Sequence, residues 1–439
     1  MWLLYQLTFG VALLLASPVL LARKGRHYLA TLRGRLGRQP DGDHGRGGLW
    51  LHAVSVGEAG VAATLARELP AELPLVVTTV TPTGQERARV AFGRRPATAV
   101  SYLPFDLGFA VQRFWRRFEP RALVLVEGDL WPLVLRTARR AGLPIAVING
   151  RVSDRGYRRM RRARPLLRPL LGQIDRFGVQ TALDRERLIE LGVPAERIEV
   201  TGNLKYETLE PRTDPELEAA LRAVAAGRPI LLAGSTMPGE EEQVLAAFEA
   251  LVSEIPALLI LAPRHPERFA GVAGLLGARR LAWQRRSAFA RESTPAGDGI
   301  PASVVLLDTL GELAGLYRIA DAAFVGGTLV PTGGHNPLEP ARYGVPIVVG
   351  PAMHNFREMA EQFDAAGAWR RVDGPPALAA AWREWLLDRE TGRELGARGA
   401  ALLAAQRGAL ERTLALLGPL LAGLAAPHAG RNALRSQPE

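Results

Sequence analysis

Ten short apolar runs, many of them β-branched, are spaced along the chain with helix-patterned stretches between them. In the first half they cover residues 49–54, 75–80, 122–127, 145–149 and 198–202; in the second half, 230–234, 258–262, 304–307, 322–325 and 346–349. Runs of this kind are strands buried on both faces, and alternation with amphipathic helices makes the sheets parallel and covered on both sides. At 439 residues the chain is too long for one core. The runs therefore divide into two Rossmann-like, doubly wound α/β domains whose ligand sites, at the carboxyl ends of the strands, are expected to face a shared cleft.

A segment rich in Pro, Glu and Arg, residues 207–228, reads as the connection between a domain at 49–206 and a domain at 229–425, and residues 426–439 read as a disordered tail. Residues 2–22 carry no charge and are followed at once by Arg23, Lys24, Arg26, Arg33, Arg35 and Arg38. A signal peptide carries its positive charge before the apolar run, so residues 1–22 read as an uncleaved membrane anchor and 23–48 as a basic juxtamembrane segment held in the cytoplasm. Gln6, Gly10 and Pro18 interrupt the span and leave an interfacial helix as the alternative. The net charge of +11 is nearly all arginine, which favours a polyanionic partner, and the absence of cysteine excludes disulfides and Cys-ligated zinc.

The first run leads into Ser55-Val56-Gly57-Glu58, which sets Ser55, Gly57 and Glu58 where the next helix opens. A carboxylate there is either a general base or a partner of the helix dipole, and spacing leaves both open. Strand, serine and helix in that order also match a nucleophile elbow, but no earlier strand exists to build the oxyanion loop, so a hydrolase is set aside. Glu127-Gly128-Asp129 closes another run; two carboxylates this close are costly to bury unpaired and serve either a site or a salt bridge. Residues 151–168 hold eight arginines, Arg158, Arg159, Arg161 and Arg162 among them, against the single acid Asp154. With Tyr157, Met160, Leu166 and Leu167 interleaved, this stretch suits an anionic lipid surface; a solvated helix face is the plainer alternative. No recognisable nucleic-acid module accompanies it, and no nucleic-acid partner is expected.

In the second half, Gly234-Ser235-Thr236 leads through Met237-Pro238-Gly239-Glu240-Glu241 into a helix, a place where backbone N–H groups can meet a phosphate. Arg264 and His265 follow the next run, and an arginine there can fork a phosphate or carboxylate. Gly326-Gly327-Thr328 precedes Gly333-Gly334-His335-Asn336-Pro337-Leu338-Glu339; the glycines let backbone approach a ligand, and Glu339 is placed to accept from sugar hydroxyls. His265, His335 and His354 lack ligand-like spacing, so no metal is expected.

Taken together, HAVSVGE, TGNLKYE, GSTMPGEE, PRHPERF, GGTLVPTGGHNPLEPA and GPAMHNF resemble the Kdo transferases of lipid A assembly. The resemblance runs to about Phe356 and implies a GT-B fold. It also implies inverting transfer of 3-deoxy-D-manno-oct-2-ulosonic acid (Kdo) from CMP-Kdo to the lipid A precursor, at the cytoplasmic face of a Gram-negative inner membrane, without a cofactor. By motif, Glu58 would be the general base, with Glu127 and Asp129 beside it. Gly234, Ser235, Thr236, Arg264, His265, Gly333, Gly334, His335, Asn336 and Glu339 would hold CMP-Kdo, and Asn203 and Lys205 fall in the family's G-N-x-K motif. Met237 stands where the family usually has His, Asp129 where it has Glu, and Gly150 where it has Ala.

Overall fold

The computed structural model describes residues 2–38, 44–207, 211, 213–279, 281–289 and 303–425. Two compact units emerge, one from residues 1–207 together with those from 406 onward, the other from 208–405.

In the first unit β1 (Leu49–His52), β2 (Leu75–Thr79), β3 (Thr98–Tyr102), β4 (Ala122–Val126), β5 (Ile145–Gly150), β6 (Arg176–Val179) and β7 (Ile198–Val200) form one parallel sheet in the order β3-β2-β1-β4-β5-β6-β7. Alternation along each strand feeds two cores. Trp50, Leu123, Leu125, Ile145 and Val147 point to one face. Leu49, Leu51, Ala122, Val124, Val126 and Ile148 point to the other. This is the period of two expected of a pleated strand with helices on both sides.

The second unit repeats the plan with β8 (Ile230–Thr236), β9 (Leu258–Pro263), β10 (Trp283–Arg285), β11 (Val304–Leu306), β12 (Ala322–Val325), β13 (Ile347–Val349) and β14 (Arg370–Arg371), in the order β10-β11-β9-β8-β12-β13-β14. All ten expected runs are strands; β3, β6, β10 and β14 are additional.

Two expected boundaries change. The helix Ala409–Ala425, expected within the domain at 229–425, belongs to the first unit: Ala409, Leu417, Leu420 and Leu424 pack into the core around Leu49, and Arg121 donates to the carbonyl of Leu424 at 3.0 Å. The helix Pro215–Ala225 falls within the expected connection 207–228. It belongs instead to the second unit, where Leu217, Leu221 and Val224 pack with Ile230 and Leu232. The tail expected at 426–439 lies outside the described residues.

Residues 2–35 form a helix, interrupted at Gly25 by φ 48° and ψ −134°. Among the described residues no helix is long and apolar enough to cross a membrane. The expected anchor is therefore unconfirmed, and the first turn of this helix docks on its own unit: Tyr5 Oη donates to Asp106 at 2.7 Å, Gln6 Oε1 accepts from the Gly108 N–H at 2.9 Å, and the Arg136 guanidinium lies 4.5 Å from the Trp2 ring centroid. Burial raises the Tyr5 hydroxyl far above its ordinary value, with Asp106 adding to the effect, so this docking contact is made by a neutral phenol. Leu4, Leu7, Val11, Leu14 and Leu15 face outward, an exposed apolar stripe along one side.

Candidate active site

The order of the first sheet reverses between β1 and β4, the point where doubly wound folds bind ligands. Glu58, Glu127, Asp129, Arg151 and Ser153 line a recess of about 210 Å³ formed by the segments that follow β1, β4 and β5.

Glu58 is held there by its own helix end. Ser55 caps the helix Val56–Arg67, its hydroxyl accepting from the Glu58 N–H at 3.4 Å and donating to Glu58 Oε1 at 2.8 Å. Glu58 Oε2 accepts from the Val54 N–H at 2.8 Å. Glu58 is thus tied into the helix end that Ser55 caps and also lines the recess. Burial pushes its pKa up to about 7; the bonds from Val54 and Ser55 oppose the rise, and the charges of Glu127 and Asp129 add to it. A carboxyl titrating at neutrality is suited to accept and release a proton.

Glu127 takes the salt-bridge role. Lys205 Nζ lies 2.7 Å from its Oε1, and Asn149 Nδ2 donates to the same oxygen at 3.3 Å. Asn149 Oδ1 accepts from the Leu204 N–H, while Asn203 Oδ1 accepts from the Lys205 N–H, so the G-N-x-K turn is fastened beside the recess. A Cβ added at Gly57 would lie 3.6 Å from Lys205 Cε, which places Gly57 against the stem of that lysine. Asp129 stands at the exposed rim.

Beneath the loop after β4, His52 is fully buried. Its Nε2 accepts from Trp131 Nε1 at 3.0 Å, which leaves Nδ1 protonated and donating toward Thr78. Burial lowers the imidazole to about 4, so the ring is neutral.

The arginine stretch starts at the recess. Ser153 caps the helix Asp154–Arg162, none of whose residues is buried, so Arg158, Arg159, Arg161 and Arg162 project outward. The helix Arg164–Leu171 follows, with Leu166 72% exposed.

In the second unit the order reverses between β8 and β12. Ser235, at the end of β8, has φ 57°, a left-handed conformation that costs energy for any residue but glycine. It crosses Gly326 so closely that a Cβ there would lie 2.4 Å from the Ser235 carbonyl oxygen. Arg264 follows β9, its N–H donating to the Thr236 carbonyl at 3.0 Å. The loop carrying Gly333 and Gly334 is fixed by the Gly334 N–H to the Gly327 carbonyl at 2.7 Å and by Asn355, whose N–H donates to the Gly333 carbonyl at 3.0 Å. Burial, then the charges of Arg264 and His265, lower His335 to about 4, while burial raises Glu339 against the opposing pull of Asn336 and Arg264. Arg264 is thus near enough for its charge to be felt at both His335 and Glu339, and an arginine beside a neutral imidazole with a buried Nε2 can receive an anion.

The structure thus gathers Ser55, Gly57, Glu58, Glu127, Asp129 and Lys205 in one unit and the second-half loops in the other. Sequence reasoning did not single out Arg151, Ser153, Asn149, His52 or Trp131 in the first, nor Glu240 in the second. Arg151 was signalled only by its place after β5, a signal hidden within the arginine run.

Two doubly wound units, one with a buried carboxyl at its switch point and the other with glycine-bearing loops beside an arginine, suit a glycosyltransferase. Residues 30–208 match the family described as 3-deoxy-D-manno-octulosonic-acid transferase. A 3-deoxy-D-manno-octulosonic acid transferase of Haemophilus influenzae is 36% identical over 385 residues, covering 85% of this chain and 87% of that one. One from Bordetella pertussis is 37% identical over 376 residues, with 83% and 86% covered. Among solved structures, the C-terminal CMP-Kdo binding domain of WaaA from Acinetobacter baumannii is 31% identical, covering 43% of this chain and 96% of that domain at a TM-score of 0.39. The chain belongs to the Kdo transferase family.

Proposed function

We propose that the protein moves Kdo from CMP-Kdo to the lipid A precursor, lipid IVA, in lipopolysaccharide core biosynthesis, with inversion at the anomeric carbon. The observation that carries this reading is Glu58: a buried carboxyl with a pKa of about 7, in the first turn of the helix that follows β1, in a chain of the Kdo transferase family. Its carboxylate takes the proton of the acceptor hydroxyl as that oxygen bonds to the anomeric carbon of Kdo. The bond from that carbon to the phosphate oxygen breaks, and CMP departs with the electron pair. Arg264 and the backbone amides of the second unit's loops offset the charge left on the phosphate, which supports a reaction without metal or cofactor.

The acceptor is anionic and amphipathic, and the first unit offers matching surfaces. Arg151 is at the recess, Arg158, Arg159, Arg161 and Arg162 lie on the helix that leaves it, and the apolar stripe from Leu4 to Leu15 suits a bilayer interface. We propose that the protein works at the cytoplasmic face of the inner membrane, and these surfaces support it by suiting an anionic interface in which the stripe rests. The test is mass spectrometry of products after incubation with CMP-Kdo and lipid IVA. A product heavier by one or more Kdo residues is expected; transfer from a different nucleotide sugar in its place would overturn the reading.

A further inference from the structure

Glu240 is fully buried, yet it is a carboxylate, and neither the proton transfer nor the phosphate contacts use it. Its Oε2 accepts from the Met237 N–H at 2.9 Å and from the Gly327 N–H at 2.5 Å; its Oε1 accepts from the N–H groups of Thr328 and Leu329, both at 2.8 Å. Burial raises the carboxyl while these four donors pull it down. Four converging backbone N–H groups form the kind of nest that ordinarily receives an external anion. Here the chain fills the nest with its own side chain, so these amides are spent on architecture and the donor phosphate is left to Arg264 and the neighbouring loops.

The bonds join the two glycine-bearing segments of the second unit. Met237 directly follows Gly234, Ser235 and Thr236; Gly327 and Thr328 follow β12. The Gly327 carbonyl in turn accepts from the Gly334 N–H at 2.7 Å and the Thr332 hydroxyl at 3.0 Å, so the tie extends to the segment carrying His335 and Glu339. Because the bond at residue 237 is made by backbone, methionine in place of the family's histidine leaves it intact.

We propose that Glu240 is a positioning residue for the donor: its buried carboxylate locks the loop after β8 to the loop after β12 and thereby presets residues 333–339 for the nucleotide. The inference rests on the reading of the second unit as the CMP-Kdo site.

The test uses the full chain and CMP. Glu240→Gln keeps the volume but turns an NH₂ toward N–H groups, breaking at least one charge-assisted bond. CMP affinity by calorimetry should fall at least about tenfold, and the KM for CMP-Kdo should rise in step while the KM for the lipid acceptor stays put. Equal CMP binding by the wild type and Glu240→Gln would overturn the role of Glu240 alone. A wild type that does not bind CMP would overturn the donor-site reading, and the inference with it. If the variant does not fold, hydrogen exchange in the wild type decides: amides of Gly327, Thr328 and Leu329 should be protected before CMP is added. Rapid exchange there, with protection appearing only on CMP binding, would show that Glu240 presets nothing.

Discussion

Lys205 Nζ lies 2.7 Å from Glu127 Oε1, in a chain whose only other lysine is Lys24. The pair governs more than itself, because the negative charge of Glu127 adds to the burial that pushes Glu58 upward. Lys205→Met removes the neutralising partner and leaves the field of Glu127 uncompensated at Glu58. The acidic limb of the pH–rate profile should move to higher pH, with turnover reduced most below neutrality. A limb that stays in place would mean that Glu127 is not felt at Glu58.

Glu58 itself sets the second expectation. Only its ionised form accepts a proton, so turnover should rise with pH through about 7. Glu58→Gln should lower turnover by about 10²–10⁴ while leaving CMP affinity unchanged. Asp129→Asn, at the rim, should be milder; the opposite ranking would move the base to Asp129. Stability carries the reverse sign. A carboxyl raised from 4.5 to about 7 on folding favours the protonated native state, so its contribution is full below pH 4.5 and is lost as pH rises through 7. Thermal melts between pH 5 and 8 should show a decline for the wild type that Glu58→Gln flattens.

How much of this was legible depended on how far apart the partners lie in the chain. The central strands announced themselves because both faces are buried: Leu49, Trp50 and Leu51 are all inaccessible. The missed strands lie at or near sheet margins, where one side meets solvent. β14 consists of Arg370 and Arg371, and β6 opens on the exposed Arg176, residues no apolar pattern would mark. Glu58 was readable because Ser55 and Glu58 are three residues apart and cap one helix. Glu240 was not, since its partners Gly327 to Leu329 are more than 80 residues away and are backbone groups with no sequence signature. The His52–Trp131 bond spans 79 positions and was equally hidden.

That bond gives a third expectation. His52 links Trp131, two residues beyond Asp129, to Thr78 on β2. His52→Phe fills the space but strands the Trp131 indole N–H, a change expected to cost about 1–3 kcal/mol in urea unfolding. An imidazole lowered to about 4 favours the neutral native state; this contribution is present above pH 6.5 and is lost as pH falls toward 4. The gap between wild type and variant should therefore narrow over that window. A gap independent of pH would assign the loss to packing alone.

The arginine helix provides a fourth. Arg158, Arg159, Arg161 and Arg162 are exposed and of one sign, so their pull on an anionic surface should be screened over about 8 Å at physiological ionic strength. Replacing all four with Gln should weaken sedimentation with phosphatidylglycerol vesicles at low salt and make little difference at high salt or with neutral lipid. Equal binding of both proteins at low salt would remove these residues from the membrane surface.

The last expectation concerns the close approach of Ser235, at the end of β8, to Gly326, just after β12. A methyl group at Gly326 would lie 2.4 Å from the Ser235 carbonyl oxygen and 2.7 Å from Thr236 Cα, both backbone atoms that cannot swing aside as a side chain does. Gly326→Ala should thus force the two loops apart, with overpacking costing about 1–3 kcal/mol and CMP affinity falling with it. Gly274→Ala is the matched control, since nothing lies within 4 Å of its added carbon and it sits inside the helix Phe269–Gly277. There alanine should be neutral or stabilising by up to about 1 kcal/mol. Calorimetry of CMP with both variants, alongside urea unfolding, separates the cases. If Gly326→Ala bound CMP as tightly as Gly274→Ala does, the contact between the loops would have no bearing on the nucleotide.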